Sequence, residues 1–155
     1  MSNTYDDFIA TEVELIYRGG NPKARNFKIS SSKDCFSILK NVWDENKIYL
    51  LEEFKIMMLD NDASVLGVST ICTGAINQCL PDRRLIFATA LKARATSIIV
   101  AHNHPSASLK ASEADIKLTN VLVDIGKILN IKVHDHLIVT KERYYSFADE
   151  GMMPV

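Results

Sequence analysis

Polar and apolar residues alternate over 12–18, "EVELIYR", and stop at "GGNP", a turn cluster that leads into a second extended stretch around "NFKIS". This pattern predicts an N-terminal hairpin. The period then changes: behind a run of serines, Phe36, Leu39, Val42 and Trp43 recur at helical spacing, which predicts a helix over about 33–45. Two β-like runs follow, "IYLLEEFKIMMLD" and "ASVLGVSTI", parted by the turn signal "DNDA" and so expected to pair antiparallel. Pro81 opens "PDRRLIFATALKAR", whose Leu85, Ile86, Ala90 and Leu91 fall on one side of a second helix. "TSIIVA" is short and apolar throughout, as a central strand is. From Ser112, "SEADIKLTNVLVDIGKILN" sets Ile116, Leu118, Leu122, Ile125 and Leu129 along a third helix, and "IKVHDHLIVT" and "YYSFA" read as closing strands. With no repeat, low-complexity tract or long linker, the order is mixed β and α around one sheet.

Composition narrows the class. The 155 residues, 47% of them hydrophobic, have the length and apolar content of one domain with a sizeable core. A net charge of -1 gives no basic field to attract phosphate backbones, so DNA binding is possible but unsupported by charge. Lys23, Arg25 and Lys28, or Arg83, Arg84, Lys92 and Arg94, read as solvated faces. No apolar run suggests a membrane span and "MSNTYDD" lacks the parts of a secretory signal, so a cytoplasmic protein is expected. Cys35, Cys72 and Cys79 are odd in number and contain no C-x-x-C pair; they are expected as reduced, partly buried small hydrophobes.

The candidate chemistry lies in "AHNHPSASLKASEAD". His102 and His104 follow a buried strand, and residues two apart in extended backbone point to the same side. Pro105 breaks the strand, the loop can fold back, and Asp115 in the first turn of the next helix can add an oxygen. Two imidazoles and a carboxylate leave a fourth tetrahedral position open, the pattern of a catalytic zinc site. Turnover also needs a base, and Glu52 or Glu53 heads the apolar strand upstream; neighbours in a strand face opposite ways, and the residues alone leave the choice open. Ser112 and Asp115 are also spaced as a capping box, which by itself would account for both. A second His-x-His, His134 and His136 in "VHDHLIV", lies inside a β-like run and reads as structural, with Asp135 or His136 orienting a group that binds the metal.

"HNHPSASLKASEAD" fits His-x-His-x7-Ser-x2-Asp through His102, His104, Ser112 and Asp115, and in this it resembles the JAMM (MPN-plus or JAB) metalloproteases. "EEFKIMMLD", "RLIFATALKARATSIIVAHNHPS", "VHDHLIV" and "YYSFADEGMM" are similar, in this order, to the RadC-like branch. The resemblance implies an α/β, single-domain JAB/MPN-like fold over 1–155, with a curved mixed sheet flanked by helices. The N-terminal hairpin and helix would take about 12–45, the motif-bearing core about 48–152, and there is no room for a helix-hairpin-helix domain. It implies zinc on His102, His104 and Asp115, Glu53 rather than Glu52 as the catalytic glutamate, and Ser112 as a stabiliser of the oxyanion. The family usually has a glycine where this chain has Ala107, and an apolar residue at position 134. The implied activity is a zinc-dependent hydrolase of amide bonds, a peptidase or isopeptidase acting on a peptide or protein. The alternatives are a non-catalytic DNA-repair or mobile-element accessory that binds a partner and, more weakly, a metal-dependent nuclease. Substrate and oligomeric state do not follow from the motif.

Overall fold

A computed structural model of the chain describes residues 27–74 and 79–155. The strand expected at 12–18 lies outside them. Of the extended stretch that follows, Lys28 forms an antiparallel bridge to Ser64.

Helix α1, Ser32–Val42, begins where the Ser31 side chain accepts from the Asp34 N–H, and ends at Trp43, earlier than expected. Strand β1 is Glu53–Leu59 and β2 is Val65–Thr73. Residues 48–50, apolar enough to suggest more strand, form turns instead. Between β1 and β2 the Asp60 side chain accepts from the N–H groups of Asp62 and Ser64, which closes the hairpin expected at "DNDA". Helix α2, Arg83–Lys92, is capped by Asp82; strand β3, Ser97–Asn103, helix α3, Glu113–Leu129, and strands β4, Lys132–Val139, and β5, Tyr144–Ser146, complete the chain.

The five strands form one mixed sheet in the order β2-β1-β3-β4-β5. β3 is central, as its apolar run predicts. It runs antiparallel to β1 and parallel to β4, and α3 is the crossover that a parallel neighbour requires. One face of the sheet, with Phe54, Ile56, Ile98 and Val100, packs on α2 and α3 through Ile86, Phe87, Ala90, Leu122 and Val123. The other, with Met57, Leu59, Ile99, Ala101 and Leu137, packs on α1 through Cys35, Phe36 and Leu39. The expected α/β class and mixed sheet flanked by helices are therefore observed.

Helix faces were less legible. In α2 the buried side is Ile86, Phe87 and Ala90, while Leu85 and Leu91 are about half exposed. In α3 it is Thr119, Leu122, Val123 and Gly126, so a polar residue and a glycine occupy the inner stripe where isoleucine and leucine were expected. The cysteine expectation holds for Cys35, whose buried thiol is pushed up to about 12, first by loss of solvent and then by the charges of Asp135 and Asp34. Cys72 and Cys79 are instead joined as a disulfide, with Cα atoms 6.3 Å apart. Among the described residues no helix is long and apolar enough to cross a membrane.

Helix α3 ends on Asn130 in the left-handed region, φ 54°, and the Ile131 N–H returns to the Gly126 carbonyl at 2.9 Å. A Cβ on Gly126 would run into the Ile131 carbonyl oxygen and press on Val133 Cγ2 at 3.3 Å. Backbone is the obstacle, so Gly126→Ala is expected to destabilise by about 1–3 kcal/mol. In urea unfolding the midpoint should fall with the slope unchanged.

Candidate metal centre

Three of the expected residues come together. His102, His104 and Asp115 place one ligand atom each within 4.8 Å of one another. His102 Nε2 lies 2.9 Å from His104 Nε2 and 3.2 Å from Asp115 Oδ1, and His104 Nε2 lies 3.7 Å from Asp115 Oδ2. Tetrahedral zinc with bonds of about 2.0–2.1 Å holds its ligands about 3.3 Å apart, so these separations suit the ion.

Local chemistry explains the convergence. His102 belongs to β3 and is almost wholly buried on the α2/α3 face. His104 follows the strand and is turned by "HPSA": the Ala107 N–H donates to the His104 carbonyl, and the Ser108 carbonyl folds back to accept from His104 Nδ1 at 2.8 Å. Because a carbonyl has no proton to give, Nδ1 carries one, and the lone pair of a neutral ring is left on Nε2. Two ring nitrogens 2.9 Å apart, each aimed at the other, need a cation or proton between them. That is the observation by which these residues fit a metal.

Ser112 and Asp115 do what the capping-box reading asks. The Ser112 hydroxyl accepts from the Asp115 N–H, and Asp115 Oδ2 accepts from the Ser112 N–H and from its hydroxyl, both at 2.7 Å. These bonds also aim the Asp115 carboxylate, leaving Oδ1 toward His102. The Ser112 proton is committed to Asp115, and donation to an oxyanion would require that bond to break.

Glu53 is a correction. Its carboxylate lies on the α1 side of the sheet, with Oε2 3.2 Å from Lys55 Nζ and Oε1 accepting from the Thr73 hydroxyl at 3.4 Å. Lys55 in turn donates to Thr70 Oγ1 and sits 4.8 Å above the Trp43 ring. The register gives the reason: Phe54 is paired with His102, and its ring stacks on the imidazole at 6.3 Å. Strand alternation therefore turns Glu53 and Lys55 away from the metal face. Glu52 stands one residue before β1, outside the strand whose register is given. Burial raises the Glu52 carboxyl above its ordinary value, His104 lowers it, Asp115 raises it, and a backbone hydrogen bond from Cys79 lowers it.

Three further contributors were missed or only half seen. Asn103, fully buried, accepts from the Glu53 N–H at 2.8 Å and donates to the carbonyls of Ile48 and Leu51, tying the approach to β1 to the end of β3. Its position inside the His-x-His was the available signal. His136, also fully buried, lies with Nε2 2.8 Å from His102 Nδ1, as the orienting role predicted. Thr119 touches the far side of His136 at 2.7 Å. The two histidines of "VHDHLIV" do not act as a pair, because the β3–β4 register shifts between Ile98 and Ile99 and leaves His134 as the extra, exposed residue.

The profile of the RadC-like JAB domain matches residues 29–152. The chain belongs to the RadC-like JAB domain family. Its relatives include a UPF0758 protein of Flavobacterium johnsoniae, 41% identical over 125 residues that cover 81% of this chain and 53% of the relative. A second is the UPF0758 protein YkfG of Escherichia coli K12, 40% identical over 102 residues, 66% of this chain and 65% of the relative. A third, from Chlorobaculum tepidum, is 33% identical over 146 residues, 94% of this chain and 64% of the relative. The matched part is thus about half to two thirds of each curated relative. JAB domains include metalloproteases, and the His-His-Asp group of this RadC-like domain is a candidate metal site.

Two predictions follow from the centre's surroundings. Ala107 sits at φ 59°, in the left-handed region. That conformation costs a non-glycine residue about 1–2 kcal/mol, against about 0.4–1 kcal/mol for the extra freedom glycine brings to the unfolded chain. Ala107→Gly should therefore stabilise the protein by about 0.5–1 kcal/mol in denaturant melts. The second concerns acid. His102 is lowered from 6.5 to about 4 by burial, with Asp115 opposing and His104 assisting, and burial lowers His136 too. Such groups contribute stability fully present above pH 6.5 and lost as pH falls toward 4, on the order of 3 kcal/mol for His102. His104, raised chiefly by the Asp115 carboxylate beside it, has the opposite sign and is partly open to solvent, so its effect is smaller. Asp115 lies below its ordinary 3.8, where hydrogen bonding by His104, the charge of His102 and Ser112 outweigh burial, and it acts only under this window. The urea midpoint of chelator-treated protein should drop on going from about pH 7 to about pH 5.

Proposed function

We propose that this chain is a zinc-dependent hydrolase of amide bonds, with a peptide or protein as substrate and Glu52, not Glu53, as its proton carrier. The observation that carries the reading is that two imidazole nitrogens and a carboxylate oxygen lie within 4.8 Å of one another; Glu52 is assigned the proton because alternation continued back from Phe54, the partner of His102, sets it on their side.

A zinc ion bound there supplies Lewis acidity and a water that ionises near neutral pH. His102 and His104 would hold it through Nε2, and Asp115 through the oxygen its capping bonds leave free. Glu52 would accept the proton as water attacks the carbonyl and return it to the departing amine. Phe54 and the buried His136 pack behind His102. Ser112 fixes Asp115, and in this reading that is its contribution.

Protein purified without chelator is expected to carry about one zinc per chain, and His104→Ala to carry none. Any cleavage found in a peptide-library screen should disappear with chelator. Glu52→Gln should keep its zinc and lose at least about a hundredfold in rate. Glu53→Gln leaves Lys55 buried beside a neutral amide, so it should cost stability while the folded fraction turns over within about threefold of the parent. Loss of rate in Glu53→Gln with none in Glu52→Gln would reverse the assignment.

A further inference from the structure

We infer that Thr119 and His136 act as positioning residues that fix the tautomer of His102, through a buried relay that runs from the backbone carbonyl of Asp115 to the nitrogen facing the metal. The inference rests on the metal reading above, and it follows from counting protons. The carbonyl oxygen of Asp115 carries none, so the Thr119 hydroxyl, 2.7 Å away, donates to it. A hydroxyl has one proton. The other contact of Thr119 Oγ1, with His136 Nδ1 at 2.7 Å, is therefore one in which the ring N–H donates and the hydroxyl oxygen accepts.

His136 is fully buried, stacked on Phe147 at 4.7 Å and set edge-on to Phe54 at 5.9 Å, surroundings that favour the neutral ring. A neutral imidazole has one N–H. With that proton on Nδ1, Nε2 of His136 is an acceptor, and its partner at 2.8 Å, His102 Nδ1, must supply the proton. The neutral His102 ring is then left with its lone pair on Nε2, the nitrogen 2.9 Å from His104 Nε2 and 3.2 Å from Asp115 Oδ1. His104 reaches the same state independently through the Ser108 carbonyl. The reverse polarity would leave Thr119 Oγ1 and the Asp115 oxygen 2.7 Å apart with no proton between them, and would put an N–H on the ligand nitrogen.

The relay begins and ends on residues of the centre. Asp115 offers its side chain to the metal and its backbone carbonyl to Thr119, one helical turn later, so the placement of α3 against β4 sets the direction of every proton in between. None of Thr119, His136 or the Asp115 carbonyl is a ligand, and their role is orientation alone.

The test reads the tautomers directly. Long-range imidazole 15N–1H spectra of the metal-free protein at neutral pH should show both His102 and His136 as the Nδ1–H form. Thr119→Val keeps the shape and removes the acceptor; His136 should leave the Nδ1–H form, and zinc affinity should fall by about 10–100-fold. Thr119→Ser restores the hydroxyl and should return affinity to within about threefold. An Nε2–H form of His136 in the parent protein overturns the inference, as does a Thr119→Val variant with parental tautomers and zinc affinity. If Thr119→Val fails to fold, the spectra of the parent decide alone. If the parent takes up no zinc, the metal reading falls while the tautomers still decide the relay.

Discussion

The pairing of β1 with β3 is the constraint on which the rest of the site depends. Phe54 stands opposite His102, and the Asn103 side chain holds the Glu53 N–H, so the phase of β1 is set at the point where its two glutamates enter the sheet. A slip of one residue would exchange the faces, bringing a carboxylate with its own buried lysine to the histidines and exposing Phe54 to the α1 side. The Glu53–Lys55 pair opposes that slip. Both side chains are buried and paired with each other on the α1 face, where Lys55 also donates to Thr70.

How much of this was legible in the sequence depended on the range of the interaction. His102, His104, Ser112 and Asp115 lie within fourteen consecutive residues, and a strand exit, a proline turn and a helix cap are local events that spacing reports. The hairpin at "DNDA" and the central position of "TSIIVA" were legible for the same reason. The direction of Glu53 was not legible because it is settled by Asn103 and His102, about fifty residues away, and strand alternation states only that one of two neighbours faces the centre. Thr119 was passed over as a gap in the apolar stripe of α3; its value comes from a histidine on another element. The shift at His134 is likewise invisible in a sequence that alternates without interruption, since it is the pairing with β3 that changes phase.

Helix α3 joins these ranges. Its first turn carries a candidate ligand, its second the hydroxyl beside His136, and its body packs beside β4, which brings His136 in turn. The candidate metal face is therefore built from one β-α-β unit, β3 and β4 joined by α3, with Phe54 of β1 laid alongside. Glu52 precedes the first residue of β1, and its carbonyl accepts from the Gly74 N–H.

The capping box has a consequence for descent. Ser112 and Asp115 start a helix whether or not an ion is bound, so selection for folding alone would preserve them in a lineage that had abandoned metal chemistry, and burial would preserve His102 in the same way. His104 has no such second employment. It is partly open to solvent, and beyond its contacts with His102 and Asp115 it is held by one bond to a loop carbonyl. Among relatives of this domain, His104 is the position where drift would first betray a lost function, and its retention here carries more information than that of the three residues around it.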